Sequence, residues 1–185
     1  MAETYKVATL VGSLREGSLN RKAARAIEKL APDSLGFEEI EIGRLPLYNE
    51  DLERDPPREW AEFRDRVRPM DAVLFVTPEY NRSVPGLLKN AIDVGSRPYG
   101  KSVWSGKPAA VVSVSPGGIG GFGANHHLRQ SLVFLDMPVL QQPEAYIGHG
   151  GELFGDDGSV KNEGTEKFLR GFAEAFAAWI ARIKG

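Results

Sequence analysis

The stretch Val7-Ala8-Thr9-Leu10-Val11-Gly12-Ser13-Leu14-Arg15-Glu16-Gly17-Ser18-Leu19-Asn20 passes from a run of apolar residues into a Gly/Ser loop and then into a helical pattern. Val7 to Val11 shows no alternation with charged residues, so the strand it predicts is covered on both faces. From Leu19 to Leu30, Ala23, Ala26, Ile27 and Leu30 recur at helical spacing, with Arg21, Lys22, Arg25, Glu28 and Lys29 largely opposite them. Strand, loop and amphipathic helix in this order open a parallel α/β arrangement.

The same alternation repeats outward. Phe37 to Ile42, Ala72 to Thr77 and Ala109 to Val114 are further apolar runs of strand length, and a weaker segment, Pro138 to Leu140, continues toward Ala145-Tyr146-Ile147. Each run stops at turn chemistry within about eight residues, which favours strands over short buried helices. Helical patterns over Trp60 to Val67, Gly86 to Val94 and Asn125 to Leu135 separate them. Glu166 to Ile183 forms a closing helix, with Phe168, Leu169, Phe172, Phe176, Trp179, Ile180 and Ile183 expected as a core-facing stripe. The expected architecture is α/β, a three-layer sandwich around a five-stranded parallel sheet, with residues 1-185 forming one domain.

Composition narrows the chemistry. Lys+Arg 23 against Asp+Glu 25 leaves a formal charge of -2, so the total carries neither a basic nucleic-acid surface nor an acidic tail. The absence of cysteine excludes disulfides, thiolate metal sites, a Cys nucleophile and a dithiol redox couple. Redox chemistry would therefore need a cofactor to carry the electrons. Met1-Ala2-Glu3-Thr4-Tyr5-Lys6 lacks the basic and apolar regions of a signal peptide, and no apolar run approaches the roughly 18 residues of a membrane span, so a cytoplasmic location is expected.

Open parallel sheets bind ligands at the carboxyl ends of their strands. The richest loops here follow the first, third and fourth strands. In the first, Gly12 and Gly17 permit a concave backbone, Ser13 and Ser18 supply hydroxyls, the helix start offers free N–H groups, and Arg15 adds positive charge. That combination makes a monophosphate cradle, although Ser18 equally suits an ordinary N-cap. Gly12 and Gly17 have Walker A spacing, but Ser18-Leu19 stands where Lys-Ser/Thr is required, and the G-x-G-x-x-G fingerprint is absent. A triphosphatase and an NAD-type Rossmann domain are both disfavoured. After the third strand, Pro78 and Pro85 stiffen a loop that presents Tyr80 and Asn81, suited to holding backbone amides against a flat heteroaromatic ring. After the fourth, Gly117-Gly118 and Gly120-Gly121 allow close backbone approach to a ligand.

Gly12-Ser13-Leu14-Arg15-x-x-Ser18-Leu19-Asn20 followed by Pro78-Glu79-Tyr80-Asn81-Arg82-Ser83-Val84-Pro85-Gly86-Leu87-Leu88-Lys89-Asn90-Ala91-Ile92-Asp93 strongly resembles the NADPH-dependent FMN reductase family, which includes bacterial quinone and chromate reductases. Leu45-Pro46-Leu47-Tyr48-Asn49-Glu50-Asp51 and Ser115-Pro116-Gly117-Gly118 extend the resemblance over nearly the whole chain. The resemblance implies a flavodoxin-like fold, noncovalent FMN, and NAD(P)H as cosubstrate for reducing quinones, flavins or chromate by a two-step (ping-pong) exchange. It places Ser13, Arg15, Ser18, Leu19 and Asn20 around the FMN phosphate, and Pro78, Glu79, Tyr80 and Asn81 along the isoalloxazine. Ser115, Gly117 and Gly118 fall near the ring and ribityl chain.

Hydride transfer borne by the flavin requires no catalytic side chain; Tyr80, Asn81 and Arg82 are the nearby candidates. Arg82 and Arg97 are candidate contacts for an anionic cosubstrate or acceptor. The resemblance also implies a homodimer or homotetramer, with Arg129 and Glu144 able to pair across a subunit contact. His126 and His127 diverge by about 100° as helix neighbours and lack a third ligand, so no metal site is expected. No Gly-x-Ser-x-Gly elbow is present for Ser-His-Asp hydrolysis, and His149 receives no role. The competing reading is a flavodoxin-type electron-transfer protein acting with a protein partner, for which the small acid excess is unfavourable.

Overall fold

β1 (Tyr5–Val11) lies inside a five-stranded, all-parallel sheet of order β2-β1-β3-β4-β5, with β2 (Leu35–Glu39) and β5 (Ala145–Ile147) at the edges. β3 (Ala72–Thr77) and β4 (Ala109–Val114) are buried at every position, as their unbroken apolar character requires. The computed structural model describes residues 4–185; Met1, Ala2 and Glu3, part of the stretch read for targeting signals, lie outside it. No described helix is long and apolar enough to cross a membrane.

α1 (Leu19–Leu30) joins β1 to β2, and a 3₁₀ turn (Glu50–Arg54) with α2 (Arg58–Val67) joins β2 to β3. α3 (Gly86–Gly95) joins β3 to β4, and α4 (Phe122–Phe134) joins β4 to β5. A short α5 (Gly150–Leu153) precedes the closing α6 (Glu163–Lys184). Alternate strand residues feed two cores, as the period of a strand dictates. Val7, Leu74, Val76 and Val112 pack with Ala23 and Ile27 of α1 and with Phe172 and Phe176 of α6. Leu10, Val73, Phe75 and Val111 pack with Trp60 of α2, Leu88 of α3 and Leu128 of α4. Trp104 is fully buried in the second core, where its indole N–H donates to the Ile92 carbonyl at 2.9 Å. A Phe or Leu side chain fully buried in either core contributes roughly 1.5–3 kcal/mol.

Some boundaries differ from the sequence pattern for identifiable reasons. Ile40 and Ile42 are buried but lie beyond β2, so their apolar character reports core contact after the strand has ended. Pro138 to Leu140 pairs only with the start of β4, through Ala109 N–H to Pro138 O at 3.0 Å and Leu140 N–H to Ala109 O at 2.8 Å. The chain then leaves the sheet and rejoins it as β5. α6 starts at Glu163, three residues ahead of the expected start, because Asn162 caps it there, its side chain accepting from Thr165 N at 2.7 Å.

Candidate functional site

β1, β3 and β4 are adjacent, so their carboxyl-terminal loops meet at one edge, where the connections from β1 and β3 depart to opposite faces. Ligands of doubly wound sheets bind at such a switch point. A cleft of about 240 Å³ opens there. Ser13, Arg15, Ser18, Leu19 and Asn20 form one wall, Pro78, Glu79 and Tyr80 a second, and Val114, Ser115 and Pro116 a third.

The first wall is rich in uncommitted donors. None of the backbone N–H groups of residues 13–17 donates to a backbone carbonyl among the described residues. The first turn of α1 holds no acidic residue, and Ser18 Oγ caps it by accepting from Arg21 N at 3.3 Å. Arg15 is exposed and forms no salt bridge among the described residues. Arg21 is occupied elsewhere, 2.9 Å from Glu39. Asn20 is 3% exposed and links the first wall to the third, donating through Nδ2 to the Val114 carbonyl at 3.3 Å. Its Oδ1 is buried without a partner among the described residues. A buried acceptor left open in this way is costly unless something fills it.

The second wall is a rigid turn. Tyr80 and Ser83 exchange both backbone hydrogen bonds, at 3.1 and 3.0 Å, and the two residues between them are left-handed, Asn81 at φ 52 and Arg82 at φ 63. Two-residue turns with both central residues left-handed usually employ Asn or Gly there, so Arg82 is the unusual member. In the third wall Ser115 Oγ accepts from Gly117 N at 3.0 Å, folding the loop back on itself. A Cβ on Gly120 would lie 2.6 Å from the Tyr146 carbonyl carbon and one on Gly121 2.9 Å from Ser113 Cβ. Close approach at these two glycines serves protein packing, where the sequence had pointed to a ligand.

The model of the family described as NADPH-dependent FMN reductase matches residues 5–152. The chain belongs to this family. A quinone reductase of Pseudomonas putida strain KT2440 is 65% identical over 181 residues, covering 97% of each chain. A 2-hydroxy-1,4-benzoquinone reductase of a Burkholderia species is 45% identical over 175 residues, covering 95% of this chain and 96% of the other. Among solved structures, the flavoenzyme NAD(P)H:(acceptor) oxidoreductase FerB of Paracoccus denitrificans superposes with a TM-score of 0.92 at 48% identity, covering 97% of this chain and 98% of that one. A flavodoxin of Pseudomonas aeruginosa, at 20% identity and a TM-score of 0.55, shares the fold alone.

The three walls of the cleft have the chemistry that the cofactor named by the family would require. Free amides and Arg15 suit a phosphate, the open Asn20 acceptor suits a hydroxyl, and the proline-braced turn suits a flat ring. Of the residues expected from sequence, Ser13, Arg15, Ser18, Leu19, Asn20, Pro78, Glu79, Tyr80 and Ser115 line the cleft. Asn81, Gly117 and Gly118 are exposed beside it, outside its walls. Val114 and Pro116 line it without having been singled out, since neither carries a polar group to mark it.

The remaining candidates have partners of their own. Arg82 Nη1 lies 3.3 Å from Glu79 Oε1. Arg97 lies past the carboxyl end of α3, its guanidinium 5.9 Å from the Tyr48 ring centroid. Arg129 donates to Asn125 Oδ1 at 2.9 Å and to the Leu140 carbonyl at 2.8 Å. Tyr146 is pushed up to about 12 by burial and by its hydrogen bond with Glu144, and its hydroxyl lies 3.0 Å from His126 Nε2. His127 Nδ1 turns to Ser83 Oγ, 2.8 Å away, so the two histidines serve different partners. His149, at φ 52, sets its ring beside Gly118.

Proposed function

We propose that the chain is an NAD(P)H-dependent quinone reductase that holds FMN noncovalently across the loops after β1, β3 and β4. The observation that carries this reading is the pairing of a donor cradle, residues 13–17 with Arg15, with a buried acceptor, Asn20 Oδ1, neither of which has a partner among the described residues. Bound FMN would supply the redox chemistry, accepting hydride from the nicotinamide and passing electrons to the acceptor. The cradle amides, Ser13, Ser18 and Arg15 would hold the phosphate, and Asn20 would accept from the ribityl chain. The Pro78–Ser83 turn and Ser115 to Gly118 would flank the ring, with the backbone N–H of Gly118 a donor for negative charge that reduction builds there. Quinones are the favoured acceptors because relatives covering 97% and 95% of the chain are named for them. Chromate and free flavins are further small acceptors that an open ring would admit.

The working unit is a homodimer or homotetramer. A groove of about 680 Å³ between α3 and α4 is lined by the half-buried Val84 and Leu135 beside Lys89, Asp93 and Arg97. Phe134, 89% exposed, stands at its edge, and Val133 next to it is 72% exposed. Apolar side chains this open beside an apolar groove suit a subunit contact.

The visible spectrum of the purified protein tests the cofactor and the cosubstrate together. A yellow protein bleached by NAD(P)H without oxygen, and recoloured by a quinone, is expected. A protein that stays colourless and takes up no added FMN overturns the reading.

A further inference from the structure

Glu79 lines the cleft, yet both of its carboxylate oxygens are engaged with the protein. Oε2 accepts from Ala124 N at 3.0 Å, and Oε1 lies 3.3 Å from Arg82 Nη1. The Glu79 side chain is 13% exposed while that of Arg82 is 72% exposed, so the Ala124 bond is the sheltered one. α4 needs this contact: it begins after Gly121 at φ 77, has no side-chain cap, and carries no acid in its first turn. A carboxylate from 45 residues earlier satisfies an amide that the helix start leaves open, at the positive end of the helix dipole.

Two further contacts join the same pieces. A Cβ on Gly123 would lie 2.9 Å from both the Arg82 carbonyl oxygen and Glu79 Oε2, so the helix and the turn meet at a distance only glycine permits. Ser83 Oγ lies 2.8 Å from His127 Nδ1, one helical turn further along α4. The left-handed Asn81-Arg82 pair is thus gripped by α4 at Gly123, Ala124 and His127. Left-handed non-glycine residues persist where surrounding contacts hold them. The loop after β4 runs directly into that same helix, so α4 connects the second and third walls of the cleft.

We propose that Glu79 is a positioning residue for the flavin: its carboxylate fastens the Asn81-Arg82 turn to the first turn of α4 and sets the spacing of the two ring-facing loops. The assignment of those loops to the ring rests on the proposed function; the fastening rests on the contacts above. Glu79 touches the turn and the helix, and acts on the ring only through them. Its loss loosens both loops, and Glu79→Gln, whose amide oxygen can still accept from Ala124 N, restores them.

The fastening is read first in flavin-free protein by amide hydrogen exchange. Glu79→Ala should speed exchange in residues 80–83 and 122–125 by about 10-fold or more, and Glu79→Gln by less than about 3-fold. FMN affinity, by fluorescence titration, should fall about 10-fold in Glu79→Ala and stay within about 3-fold of the parent in Glu79→Gln. Gly123→Ala, which pushes on the same contact from the helix side, should match Glu79→Ala and keeps the test decisive if that variant fails to fold. Parent-like exchange and affinity in Glu79→Ala overturn the proposal. So does a Glu79→Gln variant as weak as Glu79→Ala, which would make the charge, and not the bond to Ala124, the active feature. A parent protein that takes up no FMN would instead overturn the proposed function, with the exchange data still deciding whether Glu79 fastens the loops.

Discussion

Asn20, in the first turn of α1, donates to the carbonyl of Val114 at the end of β4 across 94 residues of chain. This bond fixes the Asn20 side chain, whose buried Oδ1 has no donor among the described residues. A ligand hydroxyl meeting it would form a bond worth about 0.5–1.5 kcal/mol, so Asn20→Ala should weaken FMN binding roughly 2- to 12-fold. Asn20→Asp should weaken it further, because a carboxylate would stand in the wall that receives the phosphate. Fluorescence titration of the two variants checks both statements. Unchanged affinity in Asn20→Asp would place the phosphate elsewhere.

Asp71, just before β3, ties the sheet to the end of α6. Its Oδ2 accepts from Lys6 N at 2.8 Å and its Oδ1 from Lys184 Nζ at 2.6 Å. Burial works to raise the Asp71 carboxyl, but the bonds from Lys184 and Lys6 outweigh it and hold the group below the usual carboxylate range. A carboxyl depressed in the folded state contributes stability above its unfolded pKa of about 3.9 and loses it as pH falls through the folded value. The pair is partly solvent-screened, so Asp71→Asn should cost about 0.5–1 kcal/mol at pH 7, or about 1–4 °C in Tm. The difference from the parent should shrink steadily below about pH 4. Thermal melts across pH test this, and a difference that stays constant down to pH 2 would exclude the ion pair as its source.

What the sequence disclosed follows the range of the interactions involved. The cradle after β1 was legible because its glycines, Ser18 cap and Arg15 are contiguous with the helix they open. The turn after β3 was legible for the same reason. The start of α4 was not: Asn125 was the expected first residue, whereas the helix begins at Phe122, and the acceptor for its Ala124 amide is Glu79 from another loop. Val114 and Asn20 meet only because the sheet order places β4 close to the start of α1. Pro138 to Leu140 has strand-like residues but pairs with β4 only at Ala109 before the chain turns away.

The exposed end of α4 predicts an oligomer. Phe134→Glu would put a charge on a side chain now 89% exposed, a harmless change in a monomer and a disruptive one in an apolar contact. The parent should sediment as a dimer or tetramer and the variant as a smaller species. A monomeric parent, or an unchanged mass for the variant, would remove this face from the assembly.

If the cleft bounded by the three loops holds the flavin as proposed, nicotinamide and acceptor would use the same flavin face in turn. Initial rates should therefore give parallel double-reciprocal plots when both substrates are varied. Intersecting lines with a detectable ternary complex would mean that separate sites exist.

Arg15 and Asn81 separate the two halves of the site. Arg15 is exposed and has no ion-pair partner among the described residues, beside amides 13–17 that donate to no carbonyl there, so if it holds the phosphate, Arg15→Ala should remove a charge-assisted contact of roughly 1.5–3 kcal/mol. Flavin affinity should fall about 10- to 150-fold, and turnover should recover when excess FMN is supplied. Asn81 stands at φ 52 outside the cleft wall, so its side chain and its backbone shape must be probed separately. Asn81→Gly keeps the left-handed turn while deleting the amide, whereas Asn81→Ala adds a backbone cost of about 1–2 kcal/mol. Both should retain flavin better than Arg15→Ala. If the amide itself acts on the reacting ring, stopped-flow reduction of flavin-saturated Asn81→Gly should be as slow as that of Asn81→Ala. If the turn alone matters, Asn81→Gly should reduce at the parent rate. An Arg15→Ala variant that keeps full affinity, or that stays slow when saturated with FMN, would show that phosphate cradle and reaction loop are not separate parts.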